Sequence, residues 1–414
     1  MAEVTLNIDN PISIALVAIG GYGDHYLRAL LTRAPRHSFR IVAGIDPSPE
    51  KCRRLPDLQA MHVPIYASPE EFFATHSADL TVISSPIHFH CDQTCLALAH
   101  SSNVLCEKPL GATIQEAQRM IEARDEAGKW VGIGYQWSYT PSIQALKRDA
   151  MSGVFGAPRR LKTLVLAPRT ARYYGRSNWA GAQRDASGKW ILDSPINNAT
   201  AHYLHNCFYV LGATRETSAR PQSVVGELYR ANAIPNYDTG AARAYTQDGV
   251  EILYLAAHPV RDAIGPVFAY EFDNATVTLD DSDGDIVARF ADGTTKSYGS
   301  PQADLERKLW DAMEAAAGEA QQPIACPPEA ASSHTLCMNG IQESMPDIVE
   351  FPQSLINVQG PPDDRLTWVT GLREVLEQCY EEWKLPSELG AEWAKAGEEA
   401  KLSTYEFFPG GAKA

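Results

Sequence analysis

The sequence is poor in the features that would place it in a membrane, in a disulfide framework or on a nucleic acid. No run approaches the roughly 18 apolar residues that a bilayer-spanning helix requires. The opening MAEVTLNIDNPISIALVAIGGYG carries no basic segment ahead of its apolar run. That run is broken by Ser13 and flows into a glycine-rich turn, so it reads as a strand and not a signal peptide. The eight cysteines include no CxxC pair. Cys106 in NVLCEKP and Cys207 in HNCFYVLG sit in apolar runs, and Cys91 and Cys95 lie one helical turn apart. They read as reduced thiols, buried in a soluble cytoplasmic protein. Positive charge is scarce: 36 Lys and Arg face 51 Asp and Glu, a formal net charge of -15. A surface this acidic repels phosphate backbones and anionic lipid, which argues against nucleic-acid and membrane partners. A neutral small molecule meets no such barrier; an anionic one would need a local cluster of Arg or Lys. Internal repeats and long low-complexity stretches are also missing, and only the tail GGAKA is expected to be loose.

What is present is enough for two cores: 414 residues, 44% of them hydrophobic. The first third alternates short apolar runs with helical patterns. ISIALVAI (12–19), FRIVAGID (39–46), VPIYA (63–67), DLTVISS (79–85), NVLCE (103–107) and WVGIGYQ (130–136) read as strands. Helices are expected over YLRALLTRA, CRRLPDLQ, SPEEFFATH, 91–100 and TIQEAQRMIEARDEAG. Ser68, Pro69 and Glu71 form a capping box, Thr113 and Glu116 open another helix, and Gly128 stops it. Continuous apolar strands between amphipathic helices imply a doubly wound parallel sheet, a Rossmann domain over residues 1–136. After a helix near 141–152 the pattern changes. RRLKTLVLA, VVGELYRA, ARAYTQDG, VEILYLAAH, PVFAYEFDNATVTLD, DIVARFADG and TTKSYG follow one another with hairpin-like turns, which predicts an antiparallel sheet in a second domain over 137–414. Helices are expected to return near 301–317, 330–345 and 365–383.

The loop after the first strand reads Ala18-Ile-Gly20-Gly21-Tyr22-Gly23. Gly20 and Gly23 fit the second and third glycines of a dinucleotide fingerprint, and Ala18 takes the first place. The helix that follows offers free N–H groups to a pyrophosphate. Asp46 ends the second strand, 23 residues after Gly23, where a carboxylate meets the adenosine ribose diol. It would repel a 2′-phosphate, and no Arg follows it, which argues for NAD over NADP. A plain turn before Pro47 is the alternative reading. The most specific string is Cys106-Glu107-Lys108-Pro109-Leu110, at the end of a strand, where open α/β sheets bind ligands. A Lys there can donate to a substrate oxygen, and burial would suit it to proton transfer.

The segments IGGYGDHYLRAL, VAGID, ISSPIHFHCDQTCLALAHSSNVLCEKPLGATIQEAQRM, GIGYQ and SGVFGAPRRL together resemble the glucose–fructose oxidoreductase, inositol dehydrogenase and rhizopine catabolism (Gfo/Idh/MocA) family. With a later His segment they span about residues 12–212. The resemblance implies a Rossmann domain followed by an α/β domain with a large, open, mostly antiparallel sheet. It implies NAD or NADP in a cleft and hydride transfer at a sugar or polyol carbon. It places Lys108 at the reacting centre and Ser85, Pro86, His88, His90 and Glu107 on the nicotinamide side, with Gln136 also near the cofactor. Trp137 stands where many members carry Arg. Pairing of subunits through the open sheet face is expected on the same ground.

The family's second signature, a helix with Asp, His and Asp at four-residue spacing, reads here Asn198-Ala-Thr-Ala-His202-Tyr-Leu-His205. His202 matches the family's catalytic His, Asn198 stands in place of the first Asp, and His205, three residues on instead of four, is read in place of the second. On one helix the three share a face. His202 could take the hydroxyl proton, Asn198 orient its neighbours, and His205 act as a pKa-setting neighbour, but Asn198 cannot supply a negative charge. A packed structural His, or a metal held by His202 and His205, is the competing reading; no third ligand is evident and no metal is expected. The intervening PRTARYYGRSNWAGAQRDASGKW (168–190) offers Arg169, Tyr173, Tyr174, Arg176, Trp179 and Trp190 to a sugar, though an exposed loop would have the same composition. The reading is an NAD-dependent oxidoreductase acting on a sugar, glycoside or polyol. A redox-neutral enzyme that retains its NAD (eliminating or epimerising) and a non-catalytic NAD-binding regulator are the alternatives.

Overall fold

The computed structural model describes residues 11–33 and 39–410. The expected start of the chain, the end of the first helix at Ala34 and the tail from 411 lie outside the described residues. The chain divides into two compact units. The first comprises the described residues of Met1–Gly111, Glu116–Thr140 and Asp304–Ala331; the second comprises Ala112–Gln115, Pro141–Ala303 and the described residues of Ser332–Ala414. The sequence boundary at 136/137 thus falls within Glu116–Thr140, and Asp304–Ala331 returns to the first unit from far along the chain.

In the first unit, β1 (Ile12–Val17), β2 (Phe39–Ile45), β3 (Ile65–Tyr66), β4 (Leu80–Ile83), β5 (Asn103–Cys106) and β6 (Val131–Ile133) form one sheet in the order β3-β2-β1-β4-β5-β6. Every pairing is parallel. All four residues of β4 are buried, as a β-branched run covered on both faces requires. The helix Gly23–Thr32 seats Tyr26, Leu27 and Leu30 in the core over β1, and Arg307–Ala316 adds Leu309, Ala312 and Met313 to it. Each large apolar side chain so buried stabilises by about 1.5–3 kcal/mol. The strand order reverses between β1 and β4, and the loops leaving these two strands flank the position where such sheets take a dinucleotide.

The second unit is built on a ten-stranded sheet. Its strands are β7 (Pro158–Leu166), β8 (Pro221–Arg230), β9 (Thr239–Thr246), β10 (Glu251–Ala257), β11 (Ile264–Phe272), β12 (Ala275–Leu279), β13 (Ile286–Phe290), β14 (Thr295–Gly299) and β15 (Val349–Glu350). They run in the order β14-β13-β12-β11-β7-β10-β9-β8-β15. A separate hairpin holds β16 (Ile356–Gln359) and β17 (Leu366–Val369), and β18 (Ala400–Lys401) completes the large sheet by pairing with β8. Only β7–β10 and β8–β15 are parallel. The helix expected over 365–383 begins only at Leu372, because 366–369 pairs as a strand with 356–359.

Both faces of the central strands are covered. On one face Leu164, Leu166, Leu253 and Leu255 pack against Leu372, Leu376 and Cys379 of the helix Leu372–Glu382. The face that the resemblance offers to a second subunit is therefore covered at its centre by the chain's own residues. On the other face lies the helix Ala201–Val210, held by polar contacts: the Tyr254 hydroxyl donates to the Thr200 carbonyl (2.7 Å), and Asn206 Nδ2 donates to the Tyr270 hydroxyl (2.9 Å). These bonds fix the depth and rotation of the helix that carries His202.

Candidate functional site

The first unit presents the glycine loop at the C-terminal end of β1. Ala18 adopts φ 63°, a left-handed conformation that costs an L-residue about 1–2 kcal/mol, at the place where the fingerprint has its first glycine. A Cβ on Gly23 would stand 2.0 Å from the Ala18 carbonyl oxygen, so the third position admits only glycine. A Cβ on Gly20 would come no nearer than 3.6 Å to anything, the neighbour being Asp46 Oδ2. The chain thus packs tightly where helix meets strand and stays open where a pyrophosphate would approach. Asp46 Oδ2 accepts from the Gly20 N–H (3.2 Å) and Oδ1 from the Ser48 N–H (2.8 Å), which sets the carboxylate beside the loop. Gly21 follows at φ 55°, and Tyr22 caps the helix Gly23–Thr32, whose first N–H groups look onto this loop. Residues for the adenosine ribose and the pyrophosphate are therefore present, and their arrangement fits a dinucleotide.

The strand ends beside the loop are tied together. Ser84 Oγ donates to the Ala18 carbonyl (3.0 Å), and Ser85 Oγ donates to Gln93 (2.6 Å). Pro86 leads into the short turn Ile87–Phe89, which buries His88 against Phe89. His90 is buried, with Nδ1 2.7 Å from the Pro109 carbonyl and Nε2 2.8 Å from the Ser85 carbonyl. Burial holds its pKa below the usual range, so the neutral ring donates to one of these oxygens at a time. His90 straps the loop after β4 to the loop after β5, which carries Lys108.

Glu107 does not point to open space. Its Oε1 accepts from the Tyr26 hydroxyl (2.5 Å) and from Lys308 Nζ, and its Oε2 accepts from the Lys108 N–H (3.1 Å). Lys308 Nζ also donates to the Tyr22 hydroxyl (3.2 Å), which in turn donates to Gln136 Oε1 (3.3 Å). The side chains of Lys308 and Glu107 are 3% and 7% exposed. Burial alone would neutralise both. The mutual attraction outweighs it, so the Glu107 pKa lies below and the Lys308 pKa above its ordinary value. Sequence reading missed Lys308, which lies 201 residues from its partner in a plain amphipathic helix.

The second unit carries the other candidates. The segment leading to His202 is not one continuous helix. Pro195–Ala199 forms a π-helical turn, with Ala199 N–H and Thr200 N–H donating five residues back to Ser194 and Pro195. Thr200 breaks the path, and the α-helix runs from Ala201 to Val210. Asn198 therefore lies on the wide turn, whereas His202 and His205 lie three residues apart on the α-helix that follows. Asn198 and His202 stay partly exposed, whereas His205 is fully buried, stacked on Tyr209 with ring centroids 5.5 Å apart. Burial, then the nearby His334 and Lys147, hold the His205 pKa well below the usual range. The His205 ring, expected as a neighbour that tunes the base, is thus a buried group whose low pKa favours the neutral form.

The charge that Asn198 lacks stands next to it. Asp193, 2% exposed, accepts from Asn198 Nδ2 (2.7 Å) and from the Gly181 N–H (2.6 Å). Asn236 Nδ2 donates to the Asp193 carbonyl (3.0 Å), fixing that residue's backbone. Sequence reading passed over Asp193 because it precedes the signature by five residues and only the wide turn folds it back. Arg169, Tyr173, Tyr174, Arg176 and Trp179 gather around the short helix Ala171–Tyr174: Arg176 lies 3.6 Å over the Tyr173 ring, and the Tyr174 hydroxyl lies 2.9 Å from His258 Nδ1. Trp190 is placed elsewhere, beneath Arg184 and against Phe408.

Residues 12–135 match the Gfo/Idh/MocA oxidoreductase family, described by its NAD-binding Rossmann fold. An inositol 2-dehydrogenase of Burkholderia cenocepacia is 32% identical over 155 residues, 36% of this chain and 44% of that protein. A D-glucoside 3-dehydrogenase of Escherichia coli is 22% identical over 220 residues, 52% of this chain and 59% of its own length. The matched stretch thus spans about half the length of these curated relatives. Among solved structures, the WlbA dehydrogenase of Bordetella pertussis, in complex with NADH and UDP-GlcNAcA, superposes with a TM-score of 0.66 at 18% identity, covering 82% of this chain and 97% of that one. A UDP-N-acetylglucosamine 3-dehydrogenase of Acidithiobacillus ferrooxidans gives 0.62 at 17%, covering 80% and 97%. These two likenesses carry the fold of both units. The glycine loop, the EKP string and the strand order of the first unit agree with that match, so residues 12–135 resemble the NAD-binding Rossmann domain of the Gfo/Idh/MocA oxidoreductase family.

Proposed function

We propose that this chain is an NAD-dependent dehydrogenase that acts reversibly on a CH–OH carbon of a sugar or polyol. The observation that carries the reading is the glycine loop, closed at Gly23, open at Gly20 and flanked by the Asp46 carboxylate. The substrate class is supported by relatives named for the dehydrogenation of inositol and of a D-glucoside. When bound, the dinucleotide supplies the hydride acceptor at its nicotinamide ring.

The chain's own residues handle position and protons. Asp46 accepts hydroxyls of the adenosine ribose and repels a 2′-phosphate, which selects NAD. Lys108 Nζ, next to the Glu107–Lys308 pair, donates to the substrate oxygen at the reacting carbon. Within the second unit, His202, on the less buried side of its helix, is the candidate proton acceptor at a ring nitrogen. Asn198, anchored on Asp193, orients a neighbouring hydroxyl. The test is calorimetric titration of the full chain with NAD and NADP, then a screen of inositols, glycosides and free sugars for NADH formation. A wild-type chain that binds neither dinucleotide, or a Gly23→Ala chain that binds NAD as well as wild type, contradicts the proposal.

A further inference from the structure

The short helix Ala171–Tyr174 is flanked by two guanidinium groups, Arg169 and Arg176, that no carboxylate neutralises among the described residues. Arg172, between them in sequence, pairs with Asp364 at 3.3 Å. Arg169 donates to the Pro168 carbonyl (3.1 Å) and lies 5.0 Å from the Tyr173 ring centroid. Arg176 donates to the Tyr173 carbonyl (2.8 Å) and stacks on the Tyr173 ring at 3.6 Å. Among the described residues neither has an acidic oxygen within 4.0 Å. Yet acids are close enough to be felt. The charges of Asp193 and Asp238 both act on Tyr174, and that of Asp193 on Tyr173. Each of these carboxylates is held by amide donors instead: Asp193 by Gly181 and Asn198, Asp238 by the N–H groups of Ala231 and Asn232 and by Asn232 Nδ2.

Behind the two cations is His258, 1% exposed, with Nδ1 at the Tyr174 hydroxyl and Nε2 buried without a hydrogen bond among the described residues. After burial itself, Arg169 and then Arg176 hold its pKa well below the usual range, so both guanidiniums converge on one neutral ring. Two like charges beside the same ring repel each other, an arrangement that an anion between them relieves. A guanidinium offers a planar fork that matches a carboxylate, and two forks suit one planar monoanion. Asp193 alongside, in a chain of net charge -15, disfavours a phosphate dianion at the same place.

We propose that Arg169 and Arg176 form a carboxylate subsite, and that the sugar this chain handles is an acidic one, a uronate or an aldonate. The proposal rests on the dehydrogenase reading above and narrows its substrate class. The test is calorimetry on the full-length, NAD-saturated protein with D-glucuronate, D-galacturonate, D-gluconate, D-glucose and D-glucose 6-phosphate as probes. At least one of the three acids should bind roughly tenfold or more tighter than glucose, the order expected for hydrogen bonds to a charged group. Arg169→Gln and Arg176→Gln should each weaken that acid by roughly tenfold and bring its ratio to glucose toward one. NAD affinity and thermal stability serve as controls for folding. Glucose binding as tightly as every acid, glucose 6-phosphate binding tighter than all three, or no acid binding at millimolar concentration overturns the subsite, as does an unchanged ratio in both variants. If NAD binds and neutral sugars are oxidised without preference for an acid, only this inference fails. If no dinucleotide binds, the dehydrogenase reading fails first.

Discussion

Replacing Lys308 by Met removes the cation that keeps Glu107 ionised inside the first unit. Glu107 is then a buried carboxylate with the Tyr26 hydroxyl and the Lys108 N–H as its remaining partners. Stripping one member from a buried ion pair costs about 3–5 kcal/mol when the other stays charged. Glu107 has another route, which is to take up a proton. Protonating a carboxyl of ordinary pKa 4.5 at pH 7 costs about 1.36 × 2.5, or roughly 3 kcal/mol, and at pH 5 roughly 1 kcal/mol. The penalty in Lys308→Met is therefore expected at about 3 kcal/mol at pH 7, shrinking toward 1 at pH 5. The wild type behaves oppositely. Its Glu107 pKa is depressed, so the stabilisation is present above 4.5 and lost as pH falls through the folded pKa. Its Lys308 pKa is raised, so that share is present below 10.5 and lost as pH rises through the folded value. Between these limits the wild type is flat with respect to this pair while the variant gains on acidification. Urea unfolding at pH 7 and pH 5, followed by circular dichroism, reads the difference. The double variant Glu107→Gln/Lys308→Met should recover part of the loss at pH 7. A cost below about 1 kcal/mol at pH 7, or one that does not change with pH, would refute the argument that burial and pairing set the state of Glu107.

Four further outcomes follow from the same geometry. Asp46→Ala should weaken NAD by roughly ten- to a hundredfold and narrow its advantage over NADP, measured by calorimetry with both; NADP binding as tightly as NAD to the wild type would contradict the role of the carboxylate. Gly23→Ala puts a Cβ against the Ala18 carbonyl and should weaken NAD by roughly tenfold or more; an unchanged isotherm would mean the loop does not cradle the pyrophosphate. Lys108→Ala should leave NAD binding in place and cut turnover by roughly 10²–10⁴, whereas near-normal turnover would make the EKP string structural. His205→Ala should cost about 2–4 kcal/mol of stability through the cavity it leaves, and the acid limb of the turnover–pH profile should not move, since the ring is neutral and buried; a displaced limb would restore His205 as a tuning group.

Much of the architecture was legible because it is written in local chemistry. The six parallel strands announced themselves as apolar, β-branched runs, and the hairpins of the second unit as alternating runs between turn residues. The glycine loop was legible for a steric reason: position 23 has no room for a Cβ and Gly21 takes a left-handed φ, so the glycines state the geometry of the turn. Where sequence pattern failed, the decision depended on backbone paths that no short window contains. The 365–383 helix lost about its first two turns to a strand that pairs with β16, just upstream.

The same division runs through the candidate site. By itself the sequence determined which residue types were available: a carboxylate after β2, a lysine after β5, an imidazole at 202 and arginines among aromatics. Tertiary structure alone decided which of them act together. Packing of the helix Ala201–Val210 placed His205 in the core, and the chain path into that helix brought the Asp193 carboxyl to Asn198. Lys308 met Glu107 across 201 residues because a helix that is locally ordinary packs where a buried carboxylate needs a cation. Side-chain chemistry is fixed residue by residue, whereas pKa, burial and pairing belong to the surroundings, and those exist only once the chain has closed on itself.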